Sequence, residues 1–281
     1  MKKNRIASLI TILVIYILAT IVAILIYKNL NFSFWINLLI ADIGATVFVF
    51  MFSCILNNSS VYDPYWSVQP IVIIWLLLLQ NELNITKILF VIVITLWGVR
   101  LTLNWIYTFK NLEWQDWRYK MLKENTKNFY PIINFLGIHL VPTLVVYFCI
   151  LPATEIMLSE YDLNVITIIS LILSTFAFVM QGIADIQMHK FKKRNGQGFI
   201  RDGLWKYSRH PNYLGEILMW WGIGIASLSC MPNKIYCLLG AFLNTMLFLF
   251  VSIPMADKRN QKRGDFVQLK KETRMLLPIK K

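Results

Sequence analysis

The stretch IASLITILVIYILATIVAILIY, residues 6–27, contains no charged side chain. An α-helix rises about 1.5 Å per residue, so about 20 apolar residues cross the hydrocarbon core of a bilayer. Lys2, Lys3 and Arg5 precede the run, as they would in a secretory signal. The apolar stretch is longer than a signal's, however, and no small-residue cleavage site follows, so it reads as a first membrane helix. Seven more runs follow at 34–56, 65–80, 85–107, 132–151, 163–184, 212–230 and 235–254, of which 65–80 is the shortest. Composition agrees: 57% of the 281 residues are hydrophobic and 15% charged, against about 25% charged in a soluble domain. The expected fold is all-α, a polytopic transmembrane helical bundle of about eight spans. No repeat or flexible linker interrupts it, so residues 1–281 read as a single domain.

Charge sets the orientation. Segments 1–5, 57–64, 108–131, 185–211 and 255–281, with Arg100 at its helix end, hold all 28 Lys and Arg except Lys28, Lys87 and Lys234. The positive-inside rule places that side, and with an even number of spans both termini, in the cytoplasm. The expected location is an integral multi-pass membrane protein, in the plasma membrane if the source is bacterial. A net charge of +13 is then the charge of cytoplasmic loops facing anionic headgroups, and no nucleic-acid partner is implied. Cys54, Cys149, Cys230 and Cys237 lie in or beside apolar runs without C-x-x-C spacing, so no metal site is expected. The sequons in Asn57-Asn58-Ser59-Ser60 fall on the cytoplasmic side and are discounted.

Polar residues inside the spans are few. Arg100, Asn104, Tyr107 and Asn111 recur every three or four residues and share one helical face. Asp42 has no evident partner in its own span, and His139 reads as a packed helix residue. Gln181, Asp185, Met188 and Lys192 share a face where the sixth span leaves the membrane, near His189. Two long, mixed cytoplasmic loops, 108–131 and 189–211 (the second with Gly196 and Gly198), and the basic tail 255–281 are expected to converge on one face.

The segment Gly203-Leu-Trp-Lys-Tyr-Ser-Arg-His-Pro-Asn-Tyr-Leu-Gly-Glu216 turns a basic loop directly into a membrane helix. Pro211 suits the first helical turn, whose N–H groups, flanked by Arg209 and His210, offer an anion site. Asn212, Glu216 and Trp220 line one side of the helix. Gly215, Gly222 and Ala226 line another, where a neighbouring helix can approach closely. Gly222-Ile-Gly224 is half of a dinucleotide fingerprint, but it lies within a membrane helix with no preceding strand, so a Rossmann reading fails.

These residues resemble the C-terminal domain of the steroid 5-alpha-reductase-like membrane enzymes, particularly bacterial members of unassigned substrate. The resemblance runs through Gln181, Asp185 and Lys192, the Arg209–Glu216 segment, Ser252-Ile-Pro254, Asp257-Lys-Arg259 and Leu277-Pro278. Asp63-x-x-Trp66 and Asp116-x-Arg118-Tyr119 look like N-terminal signatures of the same group. The resemblance implies an NADPH-dependent reductase that saturates an activated carbon–carbon double bond of a lipid or steroid-like substrate. Its cofactor region would lie within 181–281. Asp185, Lys192, Arg209, His210, Asn212, Tyr213, Glu216 and Arg259 would neighbour the cofactor. Tyr213, Glu216 and the Tyr62–Asp63 pair are the candidates to polarise the acceptor carbonyl. Two departures are visible: Asp257 stands where the group usually has Glu, and histidines that some steroid reductases carry in this tail are absent.

Arg-His-Pro-x-Tyr-x-Gly is shared with the isoprenylcysteine carboxyl methyltransferases and phospholipid methyltransferases, which use S-adenosylmethionine. That chemistry remains the alternative. Lys192, Lys193, Arg194 and Arg201 favour a cofactor with several phosphate charges over one that is cationic at sulfur. A transporter or scaffold is the non-enzymatic alternative, although the polar residues crowd one end rather than the midplane. On the reductase reading, Asn212→Ala or Glu216→Ala is expected to weaken cofactor binding without unfolding the protein.

Overall fold

A computed structural model describes residues 2–194, 198–262 and 264–278. Gly196 of the second basic loop lies outside the described residues. The helices are α1 (Arg5–Lys28), α2 (Phe34–Leu56), α3 (Tyr65–Leu78), α4 (Ile85–Thr108), α5 (Trp117–Thr126), α6 (Tyr130–Ile133), α7 (Val141–Leu158), α8 (Val165–Arg194), α9 (Pro211–Cys230), α10 (Leu239–Leu247), α11 (Ile253–Asn260) and α12 (Phe266–Glu272). Eight helical segments are long and apolar enough to cross a membrane, and no strand occurs among the described residues. The protein is a polytopic helical membrane protein.

The run starting at residue 65 gains length because a 3-10 turn, Ser59–Val61, precedes it, giving an apolar segment over Ser59–Leu78. Asn57 ends α2 with φ 51°, a left-handed conformation that asparagine tolerates better than most residues. Asn58 then turns inward, and its amide donates to the carbonyls of Leu112 and Trp114, both at 2.8 Å. Its sequon is therefore buried. The fifth span is built in pieces: α5 and α6 lead into a π-helical turn, Asn134–Leu140, which passes into α7. His139 on that turn is packed as its sequence suggested. Its ring lies between those of Phe50 and Tyr62, and its Nδ1 contacts the Asn134 carbonyl at 2.9 Å.

Two compact units emerge, with boundaries inside α3, α4 and α7. The first holds 1–75 and 98–147, the second 76–97 and 148–281. Ile12, Ile15, Val49, Val61, Tyr62 and Tyr65 centre the first core. Asp42 is partnered there after all: Gln69 Nε2 donates to it at 2.7 Å and the Tyr65 hydroxyl at 3.3 Å. Of the expected polar face on α4, Arg100, Asn104 and Tyr107 are helical. Asn111 lies past the helix end, and its side-chain oxygen accepts from the Glu113 and Trp114 N–H groups.

In the second unit α8 and α9 pack closely along their small residues. A Cβ on Gly215 would sit 2.7 Å from the Ala177 carbonyl and 2.8 Å from Gln181 Cβ; one on Gly222 would sit 2.7 Å from the Ser170 carbonyl. Ser174 Oγ donates across the pair to Met219 O at 3.0 Å. Gly215→Ala is accordingly expected to cost about 1–3 kcal/mol through overpacking against backbone. A melt in detergent reads this directly, and an unchanged midpoint would contradict so close an approach.

Two of the three cations on the charge-poor side are tied down. Lys87 Nζ donates to the Glu82 carbonyl at 2.8 Å, and Lys234 Nζ pairs with Glu155 at 2.6 Å. The hydrogen bond to Glu155 raises the Lys234 ammonium above its ordinary pKa.

Candidate functional site

The site residues of the second unit gather where α8 and α9 reach their basic ends. The sixth apolar run ends near residue 184, but helix α8 continues to Arg194, because Asp185 to Lys192 keep helical spacing with no breaker. Residues 189–194, expected in a loop, are helix. Gln187 Oε1 accepts the Leu204 N–H at 3.0 Å, and Trp205 Nε1 donates to the Ala184 carbonyl at 2.9 Å. The loop is thereby held against α8, with Gly203 at φ +59° making the turn.

Pro211 opens α9 at its first turn, as its missing N–H allows. The expected anion site of free N–H groups is largely closed. Pro211 has none, and the N–H groups of Tyr213 and Leu214 both donate to the His210 carbonyl at 3.1 Å. The Asn212 side-chain oxygen also accepts from Tyr213 N at 3.1 Å. An anion at this mouth would depend on side chains.

Immediately before α9, Ser208, Arg209 and His210 are joined to the C-terminal tail. The Arg209 N–H donates to Arg274 O at 2.9 Å, Arg209 Nη1 to Thr273 O at 2.9 Å, and Ser208 Oγ to Met275 O at 3.3 Å. Asp257 is the hub beneath. It accepts from Arg209 Nη2 at 3.3 Å, faces His210 Nε2 at 3.1 Å, and has Lys270 Nζ at 3.9 Å. Arg209 and His210 thus serve an internal carboxylate. The His210 ring lies parallel to that of Tyr213, 5.1 Å between centroids, and Tyr213 packs on Phe248.

Asp185, Asn212 and Tyr213 are half-buried at the mouth, and Asn212 Nδ2 reaches Asp185 Oδ1 at 3.5 Å. Lys192, Lys193, Arg194 and Arg259 are exposed. Arg201 pairs with Glu272 at 3.3 Å and Asp265 at 3.8 Å.

Glu216 lies one helical turn deeper and is buried. Its carboxylate accepts three N–H donors: Gln181 Nε2 at 2.8 Å, Trp220 Nε1 at 2.9 Å and Trp97 Nε1 at 3.0 Å. Trp220 was legible as a neighbour by helical spacing; Gln181, on α8, was not. Trp97, from α4 and 119 residues distant in sequence, carried no local signal, and neither did Asp257 as the hub.

Tyr62 and Asp63 belong to the first unit. The Tyr62 hydroxyl bonds to Thr143 Oγ1 at 2.8 Å. Asp63 accepts a short hydrogen bond from the Tyr119 hydroxyl and has Arg118 at 3.8 Å. The Asp116–Tyr119 loop and the Asp63 element, 56 residues apart, therefore meet.

A family profile described as "Protein of unknown function (DUF1295)" matches residues 49–273. The Uncharacterized protein C594.04c of Schizosaccharomyces pombe is 28% identical over 246 residues, covering 76% of this chain and 71% of its own. No solved structure matches.

Proposed function

We propose, for a chain that belongs to the family described as protein of unknown function (DUF1295), a membrane-embedded reductase that uses NADPH to saturate an activated C=C bond of a lipid-like molecule. The observation that supports it best is the mouth of α9. There a half-buried carboxylate and amide, Asp185 and Asn212, lie at 3.5 Å beside the exposed cations ending α8. A nucleotide needs both kinds of partner: acceptors for sugar hydroxyls and cations for phosphates. Asp185 and Asn212 fit the first need, and Lys192, Lys193, Arg194 and Arg259 the second. When bound, NADPH supplies the hydride. The protein's share is to hold and orient it and to keep water out, which the apolar helices around the site favour.

One observation favours the second reading. Arg209 and His210, read in the sequence as flanking an anion site, face Asp257 instead. S-adenosylmethionine, cationic at sulfur, needs fewer of them, so a methyltransferase of the isoprenylcysteine or phospholipid type is kept as the alternative.

The test is a thermal-shift titration of the purified protein in detergent with NADPH, NADH and S-adenosylmethionine at equal concentration. A ligand at 100 times its Kd, binding only the folded state, stabilises by about 2.7 kcal/mol. A rise with NADPH is expected. A rise with S-adenosylmethionine alone would transfer the assignment to the methyltransferase, and no rise with any would return the protein to the transporter or scaffold class. Asn212→Ala is expected to melt close to the wild type without ligand, because its contact to Asp185 is long and the Tyr213 N–H it also accepts keeps the His210 carbonyl. It should lose most of the NADPH shift. An undiminished shift would remove Asn212 from the site.

A further inference from the structure

Two buried polar atoms of the second unit have no hydrogen-bond partner among the described residues. Gln181 on α8 spends its amide N–H on Glu216 at 2.8 Å and leaves its own Oε1 without a donor. Asn244 on α10 leaves its side-chain Nδ2 without an acceptor. Gln181 is 5% exposed and Asn244 6%, so bulk water reaches neither atom. Each is a cost to the fold that an apolar side chain of similar size would not incur.

Their neighbours place both atoms along the same stretch of α9. Asp185 and Asn212 meet at its mouth, and Gln181 and Glu216 are the residues one helical turn deeper on the same two helices. On α10, Thr245 accepts the Trp221 Nε1 hydrogen at 3.0 Å, and beyond it Phe248 packs on Tyr213 with ring centroids 4.8 Å apart. That part of α10 therefore lies against α9 between Tyr213 and Trp221, the stretch that contains Glu216. Asn244, four residues before Phe248, shares its helical face one turn deeper. The needs of the two atoms are opposite, since one lacks a donor and the other an acceptor. A primary carboxamide supplies both from adjacent atoms, an N–H₂ and a C=O.

We infer that Gln181 and Asn244 receive the nicotinamide carboxamide of the cofactor, Gln181 Oε1 accepting from its N–H₂ and Asn244 Nδ2 donating to its oxygen. This rests on the NADPH reading of the site and adds to it the end of the molecule that carries the hydride. The order of groups agrees. Exposed cations stand outermost for phosphates, half-buried Asp185 and Asn212 next for sugar hydroxyls, and the two buried amides deepest. No covalent bond forms or breaks at either residue. Two bonds of opposite sense fix which way the ring faces, which one bond would not do. S-adenosylmethionine has no carboxamide to offer them.

The experiment is isothermal titration of the full-length protein in detergent with NADPH, its 3-acetylpyridine analogue and adenosine 2′,5′-bisphosphate. The analogue keeps the oxygen for Asn244 but carries a methyl group where Gln181 needs N–H₂. The bisphosphate has no nicotinamide at all. The wild type is expected to bind NADPH at least roughly tenfold more tightly than the analogue, equivalent to about 1.4 kcal/mol. Asn244→Leu is expected to lose at least roughly tenfold in NADPH affinity and nothing for the bisphosphate. Leucine is of similar size and has no polar atom to strand, so that variant should melt at or above the wild type without ligand. Equal affinity of the wild type for NADPH and the analogue overturns the inference and needs no variant. So does an Asn244→Leu protein that binds NADPH like the wild type, or one that loses both ligands alike, as a purely structural residue would. The cofactor reading fails differently: a wild type that binds neither NADPH nor the bisphosphate removes that reading, and this inference with it.

Discussion

Glu216→Ala is expected to leave little folded protein. Its carboxylate satisfies three buried N–H donors, from Gln181, Trp220 and Trp97, and alanine has nothing to offer them. Each orphaned donor costs about 1–3 kcal/mol, so the three together approach roughly 3–9 kcal/mol. The whole stability of a domain is about 5–15 kcal/mol. The expected readout is loss of the monodisperse peak and of a cooperative melt in detergent. Glu216→Gln keeps the volume and one strong acceptor oxygen, but turns an amide N–H₂ toward a remaining donor, so it should fall between. The order wild type, Gln, Ala is the result to look for; an alanine variant melting with the wild type would refute the cage. The sequence had suggested that Glu216→Ala would spare the fold, because helical spacing showed a polar face and not the donors closing on it. Loss of binding in that variant would therefore say nothing about contact with a cofactor.

Asp257→Ala is the second large effect. The Arg209 side chain is 10% exposed and that of Asp257 12%, so removing the carboxylate strands a nearly buried guanidinium. Breaking such a pair from one side costs about 3–5 kcal/mol. The damage should centre on the tail, since the same arginine holds Thr273 O and Arg274 O. Limited proteolysis is expected to cut the variant within 262–278 before any membrane helix is lost, together with a lowered melting midpoint. Asp257→Glu retains the charge at one methylene more and should resist the protease far better than Ala does. Equal resistance of the Ala variant and the wild type would show that the ion pair does not fasten the tail.

Much of the architecture could be read without coordinates. Apolar runs such as 6–27 and 34–56 are helices Arg5–Lys28 and Phe34–Leu56 because a backbone in lipid must bond to itself. The close approach at Gly215 and Gly222 was equally plain from small residues recurring on one face. The π-helical turns at Asn134–Leu140 and Phe248–Ser252 were not, since they insert a residue into a helix without any compositional mark. Nor was the extension of α8 to Arg194, where hydropathy falls although helical propensity continues.

For the candidate site, what lies within one helix was legible and what joins helices was not. The line through Asn212, Glu216 and Trp220 follows from a 3.6-residue period, and Pro211 announces the start of α9. The roles of Arg209 and His210 depended on Asp257, 47 or 48 residues later; sequence offered their charge, and only folding said where it is neutralised. Asp42 lacked any partner in its own span and found Tyr65 and Gln69 in the next. Local order and hydrophobic burial are written along the chain, because each depends on neighbours a few residues away. Hydrogen bonds and ion pairs act over about 3–4 Å, so which distant groups they join is decided only when the helices pack.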